Sequence, residues 1–181
     1  MIDRPLFRLV LSALFTALIV VGAYIAIPFV PVPLVLANFF ALLAGLLLGP
    51  LWGGAAVLLY LVLGAVGLPV FSGGSGGFGH FASPTGGFLL GYLPSAITAG
   101  LVVHGRKGIR KSPGLLRLGL AGLLGLIVLY GIGLPWFQAV LAAKFTTLWA
   151  ASLFMAPYLV GDLVKVAAAV ILSRSLLPLL Q

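Results

Sequence analysis

Apolar residues run along this chain in long blocks, interrupted by short stretches of glycine, proline and positive charge. A helix needs roughly 20 apolar residues to cross a hydrocarbon layer about 30 Å thick. Residues 7–27 meet that length and end at the proline-broken run 28–33, PFVPVP. A shorter block, 34–48, is closed by Gly49-Pro50, and 51–68 follows, ending at Pro69. Blocks 85–104, 115–132 and 157–177 complete a pattern that predicts six transmembrane helices in a single membrane domain, 1–181. Between the last two, Trp136 to Met155 is long enough to cross but carries Lys144 near its middle, with Gln138, Thr146, Thr147 and Ser152. Tryptophans near its ends, Trp136 and Trp149, suit a membrane–water boundary. The segment is therefore read as an interfacial helix before the last span.

Composition agrees with the pattern. Of 181 residues, 62% are hydrophobic and 7% charged, and the mean hydropathy is +1.30. That balance predicts an all-α integral membrane protein rather than a soluble domain. Cysteine is absent, which excludes thiolate metal sites and disulfides. The net charge of +8 does not mark a nucleic-acid binder, because its basic residues sit in linkers between apolar runs. Arg4 and Arg8 precede the first span, Arg106, Lys107, Arg110, Lys111 and Arg117 lie around the fourth-to-fifth linker, and Arg174 is near the end of the last. Six crossings put all of these on one side, which the positive-inside rule makes cytoplasmic. Both termini are then cytoplasmic. The first apolar stretch exceeds a signal-peptide core and is read as a retained span.

Asp162 is the only acidic residue in the apolar body of the chain, and Lys165 follows it by three residues on the same helix face. A mid-span charge costs roughly 2.5–3.5 kcal/mol on insertion scales. The pair must either satisfy itself as a structural bridge or hold something polar, and intramembrane ionisable residues point to function. In the six-span topology both lie near the external end of the last span.

Other external elements would wall such a site. The stretch 71–80, FSGGSGGFGH, has glycines that permit close backbone approach and leave N–H groups such as that of Gly74 free for a ligand. It is equally readable as a flexible loop. It is no phosphate-binding Walker loop, since no Gly-Lys-Ser/Thr follows. Asn38 offers both a donor and an acceptor to a ligand or to a neighbouring helix. His80 ends the glycine loop, whereas His104 abuts the basic linker and reads as interfacial. No metal set and no His-Glu-x-x-His motif exist, so no metal, cofactor or catalytic group is expected. An intramembrane hydrolase built from Ser83, His80 and Asp162 is a distant alternative. On the first span Ala13 and Ala17, flanked by Ser12 and Thr16 at the same spacing, present small residues that let another helix approach, either of this chain or of a partner.

Taken in order, PVPLVLANFFALLAGLLLGP, GLPVFSGGSGGFGHFASPTGGFLLGY, YGIGLPW and PYLVGDLVKV resemble the BioY family over nearly the whole chain. These are biotin-binding S components of energy-coupling-factor transporters. The resemblance implies six helices with both termini inside, a biotin pocket near the outer surface of a prokaryotic plasma membrane, and a separate T component with two ATPases that power uptake. It places Asp162 and Lys165 on a Gly-Asp-x-x-Lys motif, the glycine loop on an external lid, and Ala13-x-x-x-Ala17 on a docking surface. Asn38 stands where many members have Gln, Ser83 precedes Pro84 where Gly is usual, and Phe88 replaces a Tyr. Biotin's ureido N–H groups suit Asp162, with Asn38 or loop backbone completing the set. Lys165 would meet either the carboxylate or the ureido oxygen, and Phe71, Phe78 and Tyr92 would supply apolar wall. The alternatives are an S component for thiamine or riboflavin, or a self-sufficient transporter with Asp162–Lys165 as an ion relay.

Overall fold

A computed structural model describes residues 4–27, 34–105 and 113–180. The run PFVPVP and the linker cations Arg106, Lys107, Arg110 and Lys111 lie outside the described residues. Among the described residues five helices are long and apolar enough to cross a membrane. They are α1 (Arg4–Tyr24), α2 (Ala37–Ala65), α3 (Gly86–His104), α4 (Leu115–Val140) and α5 (Leu148–Leu176). A short antiparallel ribbon joins α1 to α2, with β1 (Ala26–Ile27) paired to β2 (Leu34–Val35).

Helix α2 is not one straight rod. Gly49 adopts φ 79°, ψ −178°, a conformation that is nearly glycine-only, and Pro50 cannot donate a backbone hydrogen bond there. The chain folds back at this point. Gly53 lies against Ala44 and Gly45, so closely that a Cβ on it would stand 2.6 Å from the Ala44 carbonyl oxygen. In an unbroken helix residues eight or nine apart are separated by about 12–14 Å along the axis. The halves 37–48 and 50–65 therefore lie side by side. Near this turn His104, at the end of α3, is buried and hydrogen-bonds the Leu46 carbonyl through Nε2 at 2.7 Å. It is packed against the protein interior at the end of α3, beside the basic linker.

Helix α1 docks on the second half of α2 through hydroxyls. Ser12 Oγ donates to Trp52 O at 3.0 Å and Thr16 Oγ1 to Ala56 O at 2.9 Å. Ser12 and Thr16 are buried by this contact, while Ala13 and Ala17 point outward and are exposed.

The expected interfacial helix does not form. Residues 136–140 complete α4, 141–147 make a turn, and 148–155 open α5. Thr147 caps α5, its side chain accepting from Ala150 N at 3.2 Å. Lys144 sits exposed at this turn, 5.7 and 5.5 Å from the Phe145 and Phe154 ring centres. Its charge is thus outside any span, which removes the reason for laying the segment flat. Pro157, expected to start a helix, is inside one. Long apolar helices tolerate internal proline because neighbouring groups re-satisfy the freed carbonyl. A separate cluster of Phe137, Phe145, Ala151, Met155 and Tyr158 holds these extensions of α4 and α5 together.

Candidate binding site

Because α5 begins at Leu148, Asp162 lies near its middle, about 20 Å from its start, rather than at its outer end. It is nevertheless level with the first turn of α2, since Asn38 reaches it. Asn38 Nδ2 donates to Asp162 Oδ1 at 2.7 Å, and Lys165 Nζ donates to the same oxygen at 2.8 Å. Tyr130 of α4 donates its phenol to Oδ2 at 2.7 Å. Lys165 donates further to Val35 O at 2.7 Å and to Asn38 Oδ1 at 3.0 Å. One side-chain network thus ties β2, α2, α4 and α5.

A count of donors and acceptors defines its state. An ammonium has three N–H groups, and all three of Lys165's have acceptors. Asn38 Oδ1 accepts from Lys165 and from Phe39 N at 3.1 Å, so both its lone pairs are used. A carboxylate offers about four acceptor positions, and Asp162 uses three. What remains open is one position on Oδ2 and one N–H of Asn38. Asp162 is only 7% exposed, and these hydrogen bonds stand in for the hydration its carboxylate loses on burial.

Two cavities adjoin here, and the network lines the smaller. The smaller, about 50 Å³, is lined by Asn38, Tyr130, Asp162 and Lys165 with Met155 and Tyr158 among its apolar walls. The larger, about 310 Å³, lies between α1, α2, α3 and the glycine loop, and takes in Tyr60, Phe71, Ser72, His80, Ser83 and Thr85. Val35, Phe88 and Tyr92 line both and form the partition between them. The larger volume falls in the range of small-molecule pockets.

The loop is a folded wall, not a loose tether. Phe71 is fully buried, edge-on to Tyr60 at 5.4 Å between ring centres. Gly64 allows that ring to sit there, because a Cβ would come within 2.0 Å of Phe71 Cζ. His80 packs beside Phe71, 5.1 Å between ring centres, with Nδ1 3.3 Å from Ser75 Oγ. Partial burial holds the His80 imidazole below its ordinary value of 6.5. Trp136 Nε1 donates to Ser83 O at 3.1 Å and so ties α4 to the end of the loop.

Of the residues singled out from sequence, Asp162, Lys165 and Asn38 converge in one hydrogen-bonded set. Tyr92, Phe71 and His80 line the larger cavity. Gly74 does not line either cavity; its nearest side-chain neighbour is Tyr24. Phe78 is 79% exposed and supplies no wall. Ser83 Oγ pairs with Thr85 Oγ1 at 2.9 Å rather than with a histidine, which gives no hydrolase arrangement. Tyr130 and Tyr60 were not anticipated. Tyr130 begins the quoted run YGIGLPW, and its phenol stands on Asp162 while Phe88 packs edge-on to its ring at 5.5 Å between centres.

Long apolar helices around a buried ion pair and a cavity are the build of a multi-pass membrane transport protein. The relatives bear this out and narrow it. The chain belongs to the BioY family, whose sequence profile matches residues 3–181. The probable biotin transporter BioY of Pyrococcus horikoshii is 42% identical over 167 residues, covering 92% of this chain and 93% of that protein. The biotin transporter BioY of Rhodobacter capsulatus is 41% identical over 177 residues, with 92% and 90% covered. The crystal structure of the S-component for biotin from an ECF-type ABC transporter superposes with a TM-score of 0.85 at 30% identity, covering 97% of this chain and 93% of that one. These relatives are transporters, not enzymes.

Proposed function

We propose that this chain is the biotin-binding membrane subunit of a vitamin uptake system in a prokaryotic plasma membrane. It captures biotin on the extracytoplasmic side and works with an energy-coupling module of a T component and ATPases. The observation that carries the reading is the Asn38–Tyr130–Asp162–Lys165 network, which lines a cavity of about 50 Å³ that shares Val35, Phe88 and Tyr92 with a neighbouring one of about 310 Å³. Biotin combines a ureido ring, an apolar thioether ring and a carboxylate tail. The open position on Asp162 Oδ2 accepts a ureido N–H. A second bond to Asp162, or any bond to Lys165, requires the ligand to replace one of the internal hydrogen bonds. Binding therefore exchanges a self-satisfied network for one completed by the ligand, and an analogue without ureido N–H groups gains nothing from the exchange.

The fold-back at Gly49 supports six crossings in place of five, with α2 entering and leaving as a hairpin. Both termini are then cytoplasmic, and the glycine loop and the 141–147 turn face outward. Exposed Ala13 and Ala17 leave a small-residue face on α1 for a T component. Titration of the purified chain with biotin, thiamine and riboflavin tests the reading. Saturable binding of biotin alone is expected. Tight binding of a flavin or thiamine without biotin would overturn it, and uptake by vesicles holding only this chain would contradict the need for a module.

A further inference from the structure

Tyr60 and Tyr92 are 1% and 7% exposed, yet neither phenol has a hydrogen-bond partner among the described residues. Both line the larger cavity. Although the rings are buried, their hydroxyl oxygens keep access to the cavity, so each can donate to whatever occupies it. Of the other hydroxyls nearby, Ser83 and Thr85 pair with each other, Tyr130 donates to Asp162, and Ser72 stands at the glycine-loop end of the cavity. Lys165 has no N–H to spare. Among the described residues Tyr60 and Tyr92 are thus two phenol donors lining this cavity that no protein group takes up.

We infer that Tyr60 and Tyr92 form a paired donor site for a carbonyl oxygen of the ligand, which on the proposed reading of function is the ureido oxygen. The placement supports that atom over the carboxylate. In a cyclic urea the oxygen and the N–H groups are neighbours, so their protein partners must also be neighbours. Tyr92 lines the small cavity together with Asp162 and the large one together with Tyr60. An N–H directed at Asp162 Oδ2 therefore brings the adjacent oxygen towards Tyr92, which lines the same larger cavity as Tyr60. A carbonyl oxygen accommodates two donors along its lone pairs. Neutral phenols suit it, since they need no counter-charge inside the bundle. The carboxylate tail then extends towards the glycine loop, where Ser72 and His80 line the cavity.

The test is calorimetry on the purified full chain and on Tyr60→Phe, Tyr92→Phe and the double variant, which keep both rings and their packing. Biotin, its methyl ester and the analogue with sulfur in place of the ureido oxygen are titrated in parallel. Each single change should weaken biotin about 3- to 10-fold, and the double change more. The methyl ester should lose by the same factor, and the thiocarbonyl analogue, a weaker acceptor, by less. An unchanged biotin affinity in the double variant overturns the assignment. A loss that vanishes for the methyl ester reassigns the phenols to the carboxylate and also overturns it. If the unmodified chain fails to bind biotin, the functional reading fails first and the ureido assignment with it. Equal thermal midpoints for all four proteins separate these outcomes from misfolding.

Discussion

Replacing Asp162 by asparagine removes one charge while keeping the side chain's shape. The carboxylate accepts from Asn38, Lys165 and Tyr130 at 2.7, 2.8 and 2.7 Å. With its oxygen in the Oδ1 place the amide still accepts from Asn38 and Lys165 but turns its NH2 towards the Tyr130 phenol; flipped, it turns the NH2 towards Asn38 and Lys165 instead. Losing one member of a buried, hydrogen-bonded charge pair at a binding surface costs about 2–5 kcal/mol. That corresponds to a loss of affinity of about 30-fold to several thousand-fold. Stability should fall too, because Lys165, with its side chain 10% exposed, is left buried without its counter-ion. The double variant Asp162→Asn/Lys165→Met separates the two effects. Removing both charges should restore much of the thermal stability, as neutral replacement of a buried pair often does. It should restore none of the biotin affinity. Calorimetry and thermal melting in the same detergent read both quantities. If the double variant binds biotin like the unmodified chain, the network is a structural clasp and the site assignment is wrong.

Three further changes address other parts of the account. Gly49→Ala forces a Cβ into a conformation that costs about 1–3 kcal/mol, so the thermal midpoint should drop even though the nearest foreign atom is 3.5 Å away; an unchanged midpoint would show that the fold-back is not strained. For His80, the neutral imidazole is favoured in the packed loop. Above its ordinary value of 6.5 the ring is neutral whether the loop is packed or open, and that stabilisation is lost as the pH falls below it towards the lowered value. Protection from hydrogen exchange across residues 76–82, taken relative to the intrinsic amide rate at each pH, should fall on acidification and should stay constant in His80→Gln; protection that is pH-independent in both would contradict this. Ala13→Leu or Ala17→Leu should leave biotin binding intact while preventing co-purification with a T component, whereas retained co-purification would make that face inert.

The apolar blocks located the helices because hydrocarbon demands long runs of residues that satisfy their own backbone. Local signals at the ends of those runs were less informative. Gly49-Pro50 marked a true break, whereas Pro157 did not, because proline's effect depends on what neighbouring helices offer. Lys144 in the middle of an apolar stretch argued for an interfacial helix, and only the turn at 141–147 explains its charge. Asp162 and Lys165 were legible since an isolated intramembrane charge is expensive wherever it sits. Asn38 was legible as a candidate, but its commitment to both charges was not. Tyr130 and Tyr60 carried no such mark: a tyrosine in a long apolar helix is unremarkable until its hydroxyl is seen either bonded to a carboxylate or facing a cavity without a partner. Ser12 and Thr16 resolved the question of the small-residue face, since their bonds to α2 turn Ala13 and Ala17 outward.

The most direct measurement is a structure of this chain with biotin bound. The account predicts a ureido N–H within hydrogen-bond distance of an Asp162 carboxylate oxygen, and at least one internal bond to Asp162 or Lys165 replaced by a bond to the ligand. Biotin bound elsewhere, with Lys165 Nζ still 2.8 Å from Asp162 Oδ1 and all its other partners retained, would contradict it.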